Sequence, residues 1–411
     1  MKSVSSELQA LVAGSHRRYV TVTAHTIAGA SKVITDLVDG QVSFRLSQAI
    51  GNRSGTVRLP VIDRDGYSWL PQDEDSFVGV FGQYVTVTVN YVFPDGTSDP
   101  VHLGEFPIVG VEVERPAGFI KLTLGDWAVR LEKNLFDRTR KIATTSDTLG
   151  QVVDVWASKC LPVTPLTVTG SGANNTVTKR EVSAGTSVWS ALTDLCRDRN
   201  SSITVTGRNS IELVDDPWKA PTDQSSGIVA DLKTGPGGTV RNLVTTMDLT
   251  GMSNRVVVIY NGRESYVGSD GKTKYRDKTY YATEELTTGP FAYSRTGAGI
   301  HEVVETVPRT SGGQAQADYR ARWIANRRLG VARGIEVETV PMPWLECGDL
   351  VRVYGFGEGG EWEAARIESI TVPFLPDGAS TITMRTYMNN LGAVPMAARS
   401  ADGPTWFGAD R

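Results

Sequence analysis

Val85-Thr86-Val87-Thr88-Val89-Asn90-Tyr91 alternates apolar and small polar side chains. It is followed by the turn sequence Pro94-Asp95-Gly96-Thr97 and a second alternating run, Val101–Phe106. A period of two places every other side chain on one face, so this stretch predicts a half-buried β-hairpin. The same alternation recurs at Tyr19–His25, Val42–Leu46 and Thr56–Leu59. It returns at Ile203–Thr206 and Ile211–Val214 around the polar turn Gly207-Arg208-Asn209-Ser210, and at Arg255–Tyr260, Ile335–Val340, Leu350–Tyr354, Ala365–Val372 and Thr381–Tyr387. A chain of 411 residues with 42 Gly and 19 Pro is suited to many strands and turns.

Helical spacing is confined to a few places. Leu149, Val152, Val153, Trp156 and Cys160 share one face of residues 148–160, with Thr148 and Gln151 spaced as a capping box. Val188, Leu192, Leu195 and Cys196 share a face over 187–198. A third helix is expected near 312–329, opened by Ser311 and Gln314 and closed by Gly330, and a short one over Ser5–Val12. The fold class is therefore mainly β with a few helices, α+β. The divisions expected are 1–125, β-rich; 126–225, mixed; 226–388, β-rich; and 389–411, without period. The Gly-rich stretch Ser225–Gly238 reads as a linker.

Composition excludes several classes. Charged residues make up 21% and the net charge is −4, so a surface that grips many phosphates is not expected, nor is sequence-specific nucleic-acid binding. No apolar run reaches membrane-spanning length. Three cysteines, Cys160, Cys196 and Cys347, form neither a disulfide framework nor a zinc pattern. Four histidines, His16, His25, His102 and His301, lack ligand spacing.

The motifs that look like chemistry lack its context. Gly355-Phe356-Gly357-Glu358-Gly359-Gly360 satisfies a dinucleotide-loop pattern, but an alternating run follows where the pyrophosphate-binding helix belongs. His301-Glu302-Val303-Val304-Glu305 has half of a zinc-protease signature in a β-branched run. Glu361, Glu363, Asp215 and Asp216 are the tightest carboxylate groups, and neighbours on a strand point apart. The basic clusters Arg138-Thr139-Arg140-Lys141 and Arg327-Arg328 are short. No catalytic residue, metal ligand or cofactor site is predicted, and the chain reads as a non-enzyme. Trp156, Trp189 and Trp323 fall on helix faces and are expected in cores. Trp69, Trp362 and Trp406 lie in Gly- or Pro-rich loops and are expected at contact surfaces.

Several segments in order resemble a known family. The opening Val4-Ser5-Ser6-Glu7-Leu8 through Gly14-Ser15-His16-Arg17, then Asp39-Gly40-Gln41-Val42-Ser43 and Val101-His102-Leu103-Gly104-Glu105-Phe106-Pro107-Ile108, resemble the first barrel of bacteriophage tail hub proteins. The opening resembles the start of minor tail proteins of phages of high-GC Gram-positive bacteria. Gly125-Asp126-Trp127, the helix and hairpin of Thr186–Val214, and Ser253-Asn254-Arg255-Val256-Val257-Val258 match later hub segments. The most specific match is Pro343-Trp344-Leu345-Glu346-Cys347-Gly348-Asp349-Leu350-Val351-Arg352-Val353, in which Gly348 permits a tight turn and Asp349 can bond the local backbone. Cys347 and the stretch 260–300 depart from the family pattern.

The resemblance implies two tail-hub β-barrels per chain with a mixed α/β lateral domain inserted between them. It implies a homotrimer at the phage tail tip, a baseplate component that caps the tail tube and permits DNA passage. Its partners would be other copies of itself and distal tail or tube, tape-measure, and tip or fibre proteins. It would be made in the host cytoplasm and carried in the virion. Residues 389–411, with Leu391, Val394, Met396, Trp406 and Phe407, would form an extended docking arm. A tail-associated carbohydrate- or receptor-binding protein and a cell-wall hydrolase scaffold are the alternative readings.

Overall fold

The computed structural model describes residues 4–12, 16–46, 52–215, 228–235, 238–247, 253–287, 292–293, 299–307, 313–328, 331–356 and 361–388, apart from positions 145, 164, 178 and 200. The chain opens with α1 (Ser6–Val12), whose Leu8 and Val12 are buried and whose first turn is capped by Ser5 Oγ accepting from the Leu8 N–H. Seven strands follow: β1 (Arg17–His25), β2 (Ser31–Val33), β3 (Asp39–Arg45), β4 (Arg53–Pro60), β5 (Tyr84–Val92), β6 (Ser98–Glu114) and β7 (Phe119–Leu124). They pair antiparallel in the order β2-β1-β5-β6-β7-β4-β3. The hairpin read from the sequence is β5–β6, closed by Phe93 and Thr97 backbone bonds around Gly96. Val85, Val87, Val89 and Tyr91 are its buried face.

Residues 128–215 build a separate layer of α2 (Ala128–Lys133), β8 (Arg140–Ala143), α3 (Leu149–Ala157), β9 (Thr167–Thr169), β10 (Arg180–Val182), α4 (Val188–Asp198), β11 (Ser201–Gly207) and β12 (Ser210–Asp215). Thr148 and Gln151 form both halves of the capping box at the head of α3. Ser187 accepts from the Ser190 N–H at the head of α4. These helices pack with the β11–β12 hairpin around Trp127, Leu131, Val153, Trp189, Leu192 and Leu213.

The last strands are β13 (Ile228–Leu232), β14 (Val240–Met247), β15 (Arg255–Val267), β16 (Thr273–Glu285) and β17 (Glu302–Val307), then α5 (Gln314–Arg328), then β18 (Val331–Thr339), β19 (Leu350–Phe356), β20 (Glu361–Pro373) and β21 (Ser380–Met388). β15, β16 and β17 form their own three-stranded sheet, on which α5 lies. The stretch 260–300 is thus largely the long β15–β16 hairpin. The remaining strands run β14-β18-β21-β20, with β19 and β13 branching from β20.

The two halves of the chain share one sheet. β3 pairs antiparallel with β20, from Arg45 opposite Ser369 to Gln41 opposite Pro373. One core accordingly mixes Val42, Val57, Val87, Phe106 and Leu122 with Val337, Val351, Ile367, Ile370 and Met384. The hydrogen-bonded path ends at β2 and β14 and does not close into a ring among the described residues.

Arg18 ties the same halves together. Its buried guanidinium donates to the carbonyl oxygens of Pro373, Leu375, Pro376 and Gly378, at 2.6–3.2 Å. A buried cation is tolerable here because four carbonyl dipoles replace its water.

Two expectations need correction. The expected linker Ser225–Gly238 contains β13, which runs parallel to β19 with Leu232 fully buried. Pairing with β19 and the burial of Leu232 hold Ile228–Leu232 as a strand despite the glycines near it. Trp69 is buried, not at a contact surface, because its indole N–H donates to Asp63 Oδ2 at 3.2 Å while its ring packs against Tyr67 and Phe77. Trp189 and Trp323 are buried as expected, and Trp156 packs partly buried against the α-helical core. Ser311, Gly330, Trp406 and the segment 389–411 lie outside the described residues, as does the side chain of Trp362.

Candidate functional site

The chemistry-bearing side chains gather where the three parts of the chain meet. A cavity of about 730 Å³ opens between β6, the β11–β12 hairpin and the turn 343–349. Arg45, Arg53, Glu105, Glu212, Glu346 and Arg366 are among its lining residues.

Arg53 anchors the floor. It lies against both Phe44 and Phe106, 5.2 and 5.1 Å from their ring centroids, and donates to the Leu103 carbonyl at 2.7 Å and to the Thr206 carbonyl. Thr206 belongs to the hairpin and Leu103 to β6, so this side chain stitches the middle layer to the large sheet. Asp126 supplies the nearby negative charge. Burial pushes its carboxyl up to about 6, against the opposing pull of the Ala128 N–H and Arg53.

A second contact lies at the hairpin tip. Glu105 receives both the Arg208 N–H and its guanidinium, at 3.1–3.3 Å. The Arg208 guanidinium lies 4.3 Å from the Tyr84 ring centroid, and His25 stacks on Tyr84 at 4.4 Å and 4°. Burial, then Arg208, pull the His25 imidazole below its usual range, so it is neutral near pH 7.

The closing turn forms as its sequence suggests. Gly348 has φ +97°, a conformation that β-branched residues avoid. Asp349 Oδ2 accepts from the Glu346 N–H at 2.9 Å, and Val351 and Val353 are buried beyond it. Burial pushes the Cys347 thiol up to about 12, so it carries no thiolate near neutral pH. On the far side of the middle layer, Arg320 of α5 bonds Glu305 and the Arg197 carbonyl, joining α4 to the three-stranded sheet. Next to it, burial pushes Asp198 up to about 6.

Glu212 and Glu346 both line the cavity, and burial followed by Glu346 raises the Glu212 carboxyl. Sequence reading missed both. The other motifs do not converge. Of the glycine pattern at 355–360, Gly355 and Phe356 end β19 and residues 357–360 lie outside the described residues; the next described element, β20, is a strand and not a helix. Glu302–Val307 is a strand, and His301 bonds through its backbone to Asn254. Glu361 and Glu363 are on β20, and Asp215 ends β12; their side chains and Asp216 lie outside the described residues. Arg138 and Arg140 each pair with Asp137. Among the described residues no group of three or more His, Cys, Asp and Glu side chains could hold a metal, and no helix is long and apolar enough to cross a membrane. The bonds of this junction tie the middle layer to the large sheet, through Arg53, and to the three-stranded sheet, through Arg320.

No protein-family model and no curated protein matches this chain. Its fold recurs in solved structures. A tail protein from Neisseria meningitidis MC58 matches with a TM-score of 0.60 and 14% identity, over 90% of this chain and 97% of that one. The 43 kDa tail protein of prophage MuSo2 from Shewanella oneidensis gives 0.56 and 13%, over 90% and 98%. A prophage tail protein from Listeria monocytogenes EGD-e gives 0.51 and 11%, over 90% and 94%. At these identities the likeness is one of fold.

Proposed function

We propose that this chain is a structural component of a phage tail, acting as a homotrimeric hub at the tail tip. The observation that carries the reading is the extent of the match: 90% of this chain aligns with 97–98% of two tail proteins, so the likeness spans whole molecules rather than one module. In the finer form of the proposal, strands 1–124 and 228–388 are the bases of two hub barrels, and residues 126–215 are the lateral domain. Three chains would then present six similar barrels to the tail tube and leave a central passage for DNA. Tube, tape-measure and tip or fibre proteins would be the partners, and the virion tail tip the location. The cross-linked junction supports a part that holds neighbours in register. No catalytic role is assigned.

The pair Glu212 and Glu346 is where a wall-hydrolase reading would start. Against it, the Phe44 ring that borders the cavity is already covered by Arg53, which leaves less aromatic surface for a sugar ring to stack on. Light scattering of the purified chain and imaging of assembled particles test the hub reading together. A threefold ring at the tail tip is the expected result. Monomers or dimers in both experiments would refute it, with the particle result given more weight because a free trimer depends on concentration.

A further inference from the structure

The loop between β4 and β5 carries an acidic knob with an apolar tip. Residues 71–83 include Asp73, Glu74 and Asp75 and no basic residue. Gln83, fully buried, orders this loop. Its Nε2 donates to the Glu74 and Ser76 carbonyls at 2.8 and 3.1 Å, and its Oε1 accepts from the Phe81 N–H at 3.0 Å. Asp73 Oδ1 accepts from the Asp75 N–H and the Ser76 hydroxyl. Val78 is buried, while Val80 and Phe81 are 53% and 61% exposed. An aromatic side chain presented by an ordered loop loses little freedom on docking, and buried aromatics carry much of the energy of interfaces. A groove of about 370 Å³ opens between the end of β4 and the β6–β7 turn, lined by Val61, Ile62, Leu70, Val113, Arg115 and Pro116. Ile62 is 63% exposed. Arg115 is exposed, and its neighbour Glu114 is already bonded by Arg58.

We propose that the Val80–Phe81 tip of one copy docks in this groove of a second copy, with Asp73, Glu74 and Asp75 facing Arg115. The inference rests on the tail-hub reading for the number of copies alone. Its first support is that the groove is not filled by its own chain's knob: Phe81 stays exposed and is not among the lining residues. Its second support is charge. Three carboxylates on the knob meet Arg115 in the groove, and Arg64, two residues beyond Ile62, adds a cation that Asp36 meets at 3.3 Å. Two knobs face to face would instead oppose like charges, which selects knob against groove. Its third support is size. The groove lies at the small end of the roughly 300–1,000 Å³ range of ligand pockets, suited to one aromatic side chain. Knob and groove are different patches, so the contact is heterologous. It passes from copy to copy until it closes into a ring or runs on as a filament.

Mixing Phe81→Cys chains with Ile62→Cys chains under mild oxidation tests the contact, at a concentration where light scattering shows the assembled species. A disulfide joining the two variants roughly tenfold faster than either variant joins itself is the expected result. The wild-type chain, with Cys160, Cys196 and Cys347, sets the background. Phe81→Ser should raise the concentration needed for assembly by roughly tenfold or more. Its unfolding midpoint should stay unchanged, since Phe81 is outside the core. Arg115→Glu should weaken assembly by roughly two- to fivefold, and Glu74→Arg with Asp75→Arg in the same chain should recover it. Equal rates in mixed and unmixed samples would overturn the proposal, as would faster joining of two Phe81→Cys chains. A trimer that persists through Phe81→Ser would overturn the contact and leave the hub reading standing. A wild-type chain that is monomeric in solution and in particles would remove both. Loss of a different tail protein from particles of Phe81→Ser, with the copies still joined, would assign the knob to that partner and also overturn the proposal.

Discussion

Gly348 shows how a single residue sets the end of the fold. A Cβ added there would meet only Leu46 Cδ1 at 3.9 Å, so space does not forbid a side chain; the positive φ does. Gly348→Val should therefore cost on the order of 1–3 kcal/mol through backbone strain, measured as a lower unfolding midpoint. An unchanged midpoint would show that the turn relaxes. Asp126 and Asp198 make a pH prediction. Each has a folded pKa of about 6 against 3.8 for the free side chain. Folding takes up protons in that window, so the stability they contribute is complete below about pH 4 and lost as pH rises through 6. Asp126→Asn should flatten the fall in stability between pH 5 and 7 by on the order of 1–2 kcal/mol, read from denaturant midpoints at the two pH values. An identical pH profile would mean that Asp126 is ionised throughout. Sequence could not flag Arg18 or Arg53, because their partners are mainly backbone carbonyls far along the chain, which carry no residue signature.

At the scale of elements, the strands and helices that announce themselves do so through period. β5 and β6 read directly because their buried residues alternate, and α3 reads because its cap and its apolar face agree. Thr148→Ala removes one half of that cap and should cost about 0.5–2 kcal/mol, seen as early fraying of residues 149–157 in amide exchange; protection equal to wild type would show that packing alone holds the helix. β13 escaped notice because five residues among glycines cannot display a period, and only its neighbour β19 explains it. Trp69 escaped because a loop tryptophan looks exposed until Asp63, six residues earlier, is seen to accept its N–H. The junction cavity was illegible for a related reason. Glu212 and Glu346 are 134 positions apart, and topology alone brings them to one wall.

For the molecule as a whole, the proposed role predicts indifference to loss of carboxylates. Glu361→Gln with Glu363→Gln, and separately Glu212→Gln, should leave particle assembly and host-wall clearing intact. Loss of wall clearing with normal particles would give the chain a catalytic role. The same molecule is unusual in how late it can be finished. β3 waits for β20, and Arg45 and its partner Ser369 are 324 positions apart. At about 5–20 residues per second of synthesis, roughly 16–65 seconds separate the two. Throughout that interval β3 presents an open edge, and the guanidinium of Arg18 has none of the four carbonyls of Pro373–Gly378 to bind. A nascent chain in this state is sticky along one defined line, so its yield depends on translation speed and chaperone supply as well as on final stability. Slow codons placed between residues 46 and 368 would lengthen the exposure, and faster ones would shorten it.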